Sequence, residues 1–304
     1  MRDSRNRLLG SAVVSFLALG LLWGASFVAI EVAVAGLPPL LLAGGRYAVA
    51  GLVVFGYAAL TADRLLPRTR NELLVVGLAG LLTFGGYQAA LFVGTQYVSG
   101  SVAAVIVSLS PVVAAAVGQA VLADESVSVL DGVGFLLGVV GVAVVTNPAT
   151  GGVELLGVVV VLAGAVSFAV GAVTTRAVDH TLPTATTQAW AMAAGSVVLL
   201  AGSVSSGESL PALASVSRRA LFAFGYVALG SGAFGYLLYF RLLESTGATE
   251  TTLVSYLEPV VAVAVAALAV GESVSPTTVG GFLLVFAGFA VVKRAFLGRR
   301  IPTV

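Results

Sequence analysis

Asp124-Glu125-Ser126-Val127-Ser128, followed by Gly134-Phe135-Leu136-Leu137, Gly141 and Ala143-Val144-Val145, returns 147 positions later as Gly271-Glu272-Ser273-Val274-Ser275, Gly281-Phe282-Leu283-Leu284, Gly288 and Ala290-Val291-Val292. Upstream, Ser110-Pro111-Val112-Val113 has its counterpart in Glu258-Pro259-Val260-Val261, and Leu37-Pro38 in Leu182-Pro183, at displacements of 148 and 145. A displacement that barely drifts across so many matches marks a duplicated chain, and the repeat fixes the plan of the fold before any motif is read.

Both halves are strongly apolar. Of the 304 residues 59% are hydrophobic and 10% charged, against about 25% charged in an ordinary soluble domain. Leu8 to Ile30, Val98 to Ala123 and Ala262 to Val270 hold no ionisable side chain, and apolar runs of this kind read as membrane spans. The lipid bilayer is therefore the expected surrounding. Net charge is +1 and Lys293 is the one lysine, so no basic face exists to track phosphates, and no nucleic-acid partner is expected. With no cysteine, disulfides and thiolate chemistry are excluded. The basic start, Met1 to Arg7, leads into an apolar run too long for a signal peptide, and reads as a retained first helix.

Turn clusters and charges divide the chain into ten spans: Leu8 to Val34, Pro39 to Leu60, Glu72 to Val93, Ser99 to Leu122, Ser128 to Val145, Val153 to Val173, Pro183 to Val204, Arg219 to Leu243, Ala248 to Val270 and Pro276 to Val292. With the N-terminus in the cytoplasm, twelve of the fifteen basic residues fall on the cytoplasmic side, Arg218 and Arg219 fall outside, and Arg46 lies within a span. That bias obeys the positive-inside rule and places both termini in the cytoplasm. The expected fold class is an all-α integral membrane protein with ten transmembrane helices as two inverted five-helix repeats. The repeats would be residues 1–147 and 153–304, joined by an external linker at 148–152. Five spans is an odd number, so the second half must enter the membrane inverted, a construction used by secondary transporters with the solute site near the midplane.

Trp23-Gly24-Ala25-Ser26-Phe27 in helix 1, Arg46 in helix 2, the proline of helix 4, and Leu257-Glu258-Pro259 before a small-residue helix ending at Gly271-Glu272 together resemble the EamA-type transporters of the drug/metabolite transporter superfamily. The resemblance covers nearly the whole chain. It implies a permease for a small-molecule substrate, often exporting amino acids or related compounds, with a central cavity between the halves; a coupling proton or ion is a candidate partner on the separate ground of the ionisable residues at membrane depth. The halves are not chemically symmetric: helix 6 has Phe168 where helix 1 has Trp23, and helix 7 has Ala191 near the counterpart of Arg46.

Ionisable groups at membrane depth are rare and mark functional candidates. Glu258 lies roughly 15 Å into its span and Arg46 roughly 10 Å below the outer boundary, counting 1.5 Å per residue. Glu31 lies near the outer end of helix 1. One reading has Glu258 and Arg46 binding a charged solute group or a coupling proton. The other makes them a fixed ion pair locking helix 2 to helix 9, with Glu31 interfacial. Pro111 and Pro259 free the carbonyls of Val107 and Ser255, and Ser108 and Ser110 are placed to repair the first break. Trp23, Tyr87, Trp190, Tyr236, Tyr239 and Tyr256 are candidate cavity aromatics, against ordinary helix packing as the plainer account. The expected substrate-binding or coupling set is Glu258, Arg46, Trp23, Tyr256, Ser255, Tyr87, Tyr236 and Tyr239. Helices 1, 3, 4, 6, 8 and 9 should line the cavity, with helices 5 and 10 as scaffold.

Enzymatic readings fare poorly. Gly24-Ala25-Ser26 faintly resembles a serine nucleophile turn, but the single histidine, His180, falls in a loop before helix 7, out of reach as a base. Gly132-Val133-Gly134 is next followed by Gly138, which breaks the dinucleotide spacing. No cofactor and no metal are expected. An intramembrane enzyme and a non-transporting structural or receptor protein are the alternatives to a secondary transporter working by alternating access, as an exporter, in the cytoplasmic membrane.

Overall fold

A computed structural model describes residues 2–121, 129–146, 154–247, 251, 253–273 and 275–299. Among these residues the regular structure is entirely helical. In chain order the helices are α1 (Arg2–Val34), α2 (Pro39–Thr61), α3 (Arg70–Gly94), α4 (Gly100–Val107, resuming over Ser110–Val121), α5 (Val129–Thr146), α6 (Leu155–Ala177), α7 (Thr184–Ser205), α8 (Arg218–Thr246), α9 (Val254–Val270) and α10 (Pro276–Arg299). Seven helical stretches, in α1 to α4 and α6 to α8, are long and apolar enough to cross a membrane. The apolar stretches of α5, α9 and α10 are shorter, Gly132–Thr146, Val254–Val270 and Pro276–Gly288. The 148–152 linker lies outside the described residues.

Local chemistry sets the helix ends. Ser99 and Ser217 accept from the backbone N–H of Val102 and Ala220, three residues on, and Thr69 forms a reciprocal capping box with Glu72. Pro38, at the cap of α2, has no side-chain acceptor to give. Glu208 of the α7–α8 connection supplies one, taking the N–H groups of Leu40 and Leu41 at 3.1 and 2.8 Å, and its charge suits the positive end of the helix. Gly271 closes α9 in the left-handed region, with φ 73°, where a β-carbon is disfavoured.

Packing relates the two halves. α5 and α10 cross antiparallel: a β-carbon at Gly141 would stand 2.6 Å from the Gly281 carbonyl, and one at Gly288 would collide with the Gly134 carbonyl. Under the 147-residue displacement Gly134 corresponds to Gly281 and Gly141 to Gly288, so each contact is the image of the other. α2 and α7 behave alike. Ser196 donates to the Gly44 carbonyl at 2.8 Å, while Gly51 faces Met192 and Ala189, and a displacement of 145 maps Gly44 onto Ala189 and Gly51 onto Ser196. Small residues at these crossings let backbones touch, the usual means of helix association in lipid. Around them, α1 packs on α8 and α9 while α6 packs on α3 and α4, again exchanged by the repeat.

α3 and α8 each contain a wide, π-helical stretch, over Ala79–Gly86 and Tyr226–Phe234, whose first residues are also 147 positions apart. Such turns leave carbonyls for side chains to satisfy. Ser167 of α6 donates to the Leu82 carbonyl at 2.8 Å, and Trp23 of α1 donates its indole N–H to the Ser231 carbonyl at 3.0 Å. Outward faces carry large exposed apolar side chains, among them Leu52, Leu60, Val197, Phe222 and Leu268, as a lipid-facing surface requires.

Candidate functional site

Arg46 enters the centre from α2, 5% exposed. Its Nη1 donates to Gln88 Oε1 of α3 at 3.3 Å, and its Nη2 to Ser231 Oγ of α8 at 3.4 Å. The guanidinium carbon stands 5.0 Å from the Tyr47 ring centre, close enough for a cation–π contact. Nε is buried without a hydrogen-bond partner. Arg46 therefore joins a helix of the first half to one of the second.

Aromatic rings wall the space beside it. The Trp23 ring lies 5.5 Å from Tyr236 and 5.7 Å from Tyr239. Tyr236 also meets Phe84 at 5.9 Å and Phe240 at 6.4 Å. The sequence-nominated residues Arg46, Trp23, Tyr236 and Tyr239 thus meet in one cluster around the π-helical stretch of α8. Tyr87 is buried edge-to-face against Phe168 of α6, at 5.2 Å.

Glu258 of α9 is partly exposed, with Ser255 one turn earlier on the same helix. Among the described residues the ion pair is Arg64–Glu72, so the Arg46–Glu258 lock offered by the sequence is not formed. Neutral acceptors, Gln88 and Ser231, hold Arg46 instead. The Tyr256 ring meets Phe286 of α10 at 5.7 Å, placing it towards the α5–α10 pair. Trp190, nominated among the cavity aromatics, ties the connection before α3 to α7 by donating to the Leu65 carbonyl at 2.8 Å. Glu31 accepts the Gly100 N–H at 2.7 Å, which makes it an anchor for the start of α4.

A cavity of about 360 Å³ opens where α2 and α8 end and α7 begins, lined by Tyr57, Thr61, Pro183, Phe240, Leu243 and Glu244 among others. It is bordered by α2, α7 and α8, of which α8 is among the six helices the sequence nominates. Its inner wall is continuous with the aromatic cluster, because Tyr57 stacks on Phe240 at 5.7 Å and Phe240 meets Tyr239 at 5.7 Å. The opposite face is tied by Glu31 to Gly100, by Glu272 Oε1 to the hydroxyls of Ser99 and Ser101 at 2.9 and 2.6 Å, and by Arg219 to the Ala269 carbonyl at 3.1 Å.

Gln88, Ser231 and Tyr47 complete the cluster without having been singled out in the sequence. Gln88 carried a usable signal as an amide inside an apolar span. Ser231 carried none, since serines are common along these helices and its place depends on the π-helical stretch.

The family model described as EamA-like transporter family matches residues 10–147 and again 155–294. The chain is 30% identical over 260 residues to the uncharacterized inner membrane transporter YedA of Escherichia coli (strain K12), covering 85% of this chain and 82% of that one. It is 26% identical over 300 residues to a protein of Salmonella typhimurium named as a probable amino-acid metabolite efflux pump, covering 95% and 97%. A crystal structure at 22% identity superposes with a TM-score of 0.63 over 97% of this chain and 98% of that one, a likeness of fold. Matched twice along its length and built from apolar helices throughout, the chain is a multi-pass membrane protein that belongs to the EamA-like transporter family.

Proposed function

We propose that the chain exports a small metabolite across the cytoplasmic membrane by alternating access, as a secondary transporter of ten spans arranged in two inverted five-helix repeats, residues 1–147 and 153–304. The single observation that carries the reading is the placement of Arg46: a buried cation of the first half, hydrogen-bonded to Ser231 of the second, beside an aromatic wall. A site that bridges two repeats changes shape whenever they rock against one another. The exchanged contacts at the α5–α10 and α2–α7 crossings support an inverted relation between the halves. The basic-residue bias supports cytoplasmic termini, which makes the end bearing the 360 Å³ cavity the cytoplasmic one. That supports loading from inside, and the efflux-pump name of the Salmonella relative agrees with it.

In this reading Arg46 and Glu258 hold charged groups of the solute or a coupling proton. Trp23, Tyr236 and Tyr239 contact its apolar body, and Ser255, Tyr87 and Tyr256 shape the surroundings. The test is flux from liposomes loaded with amino acids and related metabolites under an imposed pH gradient. Saturable counterflow that is lost in Trp23→Ala is the expected result. Equal leak from protein-free and protein-bearing liposomes across the whole panel would remove the transport reading.

A further inference from the structure

Arg46 is an unusual buried cation. A guanidinium withdrawn from water needs a partner of opposite charge or a full set of acceptors. Here Gln88 and Ser231 are neutral, and their bonds are long, at 3.3 and 3.4 Å. Nε is buried and unpartnered. Glu258 forms no ion pair with the guanidinium, the ion pair among the described residues being Arg64–Glu72. The Tyr47 ring lies 5.0 Å from the guanidinium carbon, and its phenol is an O–H donor as readily as an acceptor. Among the described residues no carboxylate is paired with the guanidinium.

Geometry narrows the kind of ligand. Nε and Nη2 form one edge of the guanidinium fork, spaced to bind two oxygens of a carboxylate or phosphate side by side. That edge carries the weakest ties: Nε has none, and Nη2 has the 3.4 Å contact with Ser231. Nη1 stays held by Gln88, which fixes the plane of the fork. Resting on the transport reading above, we propose that Arg46, oriented by Gln88, is an oxyanion receptor, and that the transported solute presents a carboxylate or phosphate to its Nε–Nη2 edge. An anion seated there takes Nη2 from Ser231. Because the Ser231 carbonyl also accepts the Trp23 indole N–H, occupation of the site is felt at Trp23.

The chain has two tryptophans, Trp23 and Trp190, so Trp190→Phe leaves Trp23 as the sole indole reporter. Purified full-length protein of this background in lipid nanodiscs is titrated with benzoate, with inorganic phosphate and with neutral benzamide. Expected is a saturable change in Trp23 emission with benzoate or phosphate, the two identifying which oxyanion is taken, and none with benzamide. Arg46→Gln should abolish the response. Arg46→Lys, which keeps charge but not the fork, should weaken it by about tenfold or more. Thermal melting of each variant checks folding, and Gln88→Leu, a milder change, should also weaken binding. A response to benzamide equal to that for benzoate, persistence of the response in Arg46→Gln, or no response to either anion each overturns the proposal. Measured flux without anion binding removes the receptor and leaves transport standing. Anion binding without flux does the reverse.

Discussion

Gly24 of α1 lies directly against the backbone of Glu258 in α9, where a β-carbon at Gly24 would stand 2.6 Å from the Glu258 carbonyl oxygen and 2.6 Å from Val261 Cβ. The backbone atom cannot swing aside, so Gly24→Ala must part the two helices. The expected loss is about 1–3 kcal/mol, as for overpacking elsewhere, together with reduced transport. Gly56→Ala in α2, where nothing stands within 4 Å, should change stability by less than about 0.5 kcal/mol. Chemical denaturation in mixed micelles compares the pair.

Glu258→Gln should fold and melt as the native chain does, because the carboxylate is partly exposed and not locked to a cation. Transport, or its pH dependence, should be lost, since the amide cannot titrate. Neutralising Arg46 as well should not restore it. Rescue by the double change would instead reveal a fixed Arg46–Glu258 pair.

Ser110 mends the break that Pro111 makes in α4. Its hydroxyl donates to the Val107 carbonyl at 2.7 Å, the acceptor left unpaired four residues before the proline. Ser110→Ala should cost about 1 kcal/mol, in the range measured for hydrogen bonds within membranes. Ser110→Ala combined with Pro111→Ala should recover it, because an alanine at 111 returns a backbone N–H. Additive losses in the double variant would count against this account.

Arg64 holds the connection between α2 and α3 through Glu72, at 2.6 and 2.9 Å, while Glu72 also accepts from the Arg68 and Thr69 N–H groups and the Thr181 hydroxyl. Arg64→Met should lower the melting temperature and Arg68→Met should not, because Arg68 contributes only its backbone here. The hydrogen bond to Glu72 raises the Arg64 pKa above its ordinary value. A base with a raised pKa gives stability that is fully present below its unfolded value and lost only above it. The difference in melting between Arg64→Met and the native chain should therefore be equal at about pH 6 and about pH 9, both far below that value.

A reporter fused after Val304 should be readable from the cytoplasm and silent outside. Signal only from outside would overturn the ten-span topology with cytoplasmic termini.

Much of the fold was legible because its causes are one-dimensional. Apolar length, turn chemistry and a repeat displacement are properties of neighbours in sequence, so α2 was found from Pro39 to Leu60 and ends at Thr61. Four of the nominated site residues converge for a similar reason: polar or aromatic groups inside apolar helices have few other places to go. What the sequence concealed depends on rotation about helix axes. Tyr256 and Trp23 both flank family motifs, yet one ring meets Phe286 of α10 and the other Tyr236 of α8. The wide turn that presents Ser231 to Arg46 and Trp23 has no signature beyond the glycines around it.

The paired π-helical stretches hold slack. Each closes its hydrogen bonds five residues apart where an ordinary helix closes them at four, so re-pairing one register closer would screw the rest of the helix onward by about 1.5 Å and about a quarter turn or slightly more. α3 and α8 carry this reserve at corresponding positions, and in each a side chain of another helix, Ser167 or Trp23, latches one of the wide turn's carbonyls. The latch on α8 is an indole that also faces Tyr236 and Tyr239, whereas the latch on α3 is a hydroxyl. Winding the two reserves would be matched in displacement and unequal in what releases them.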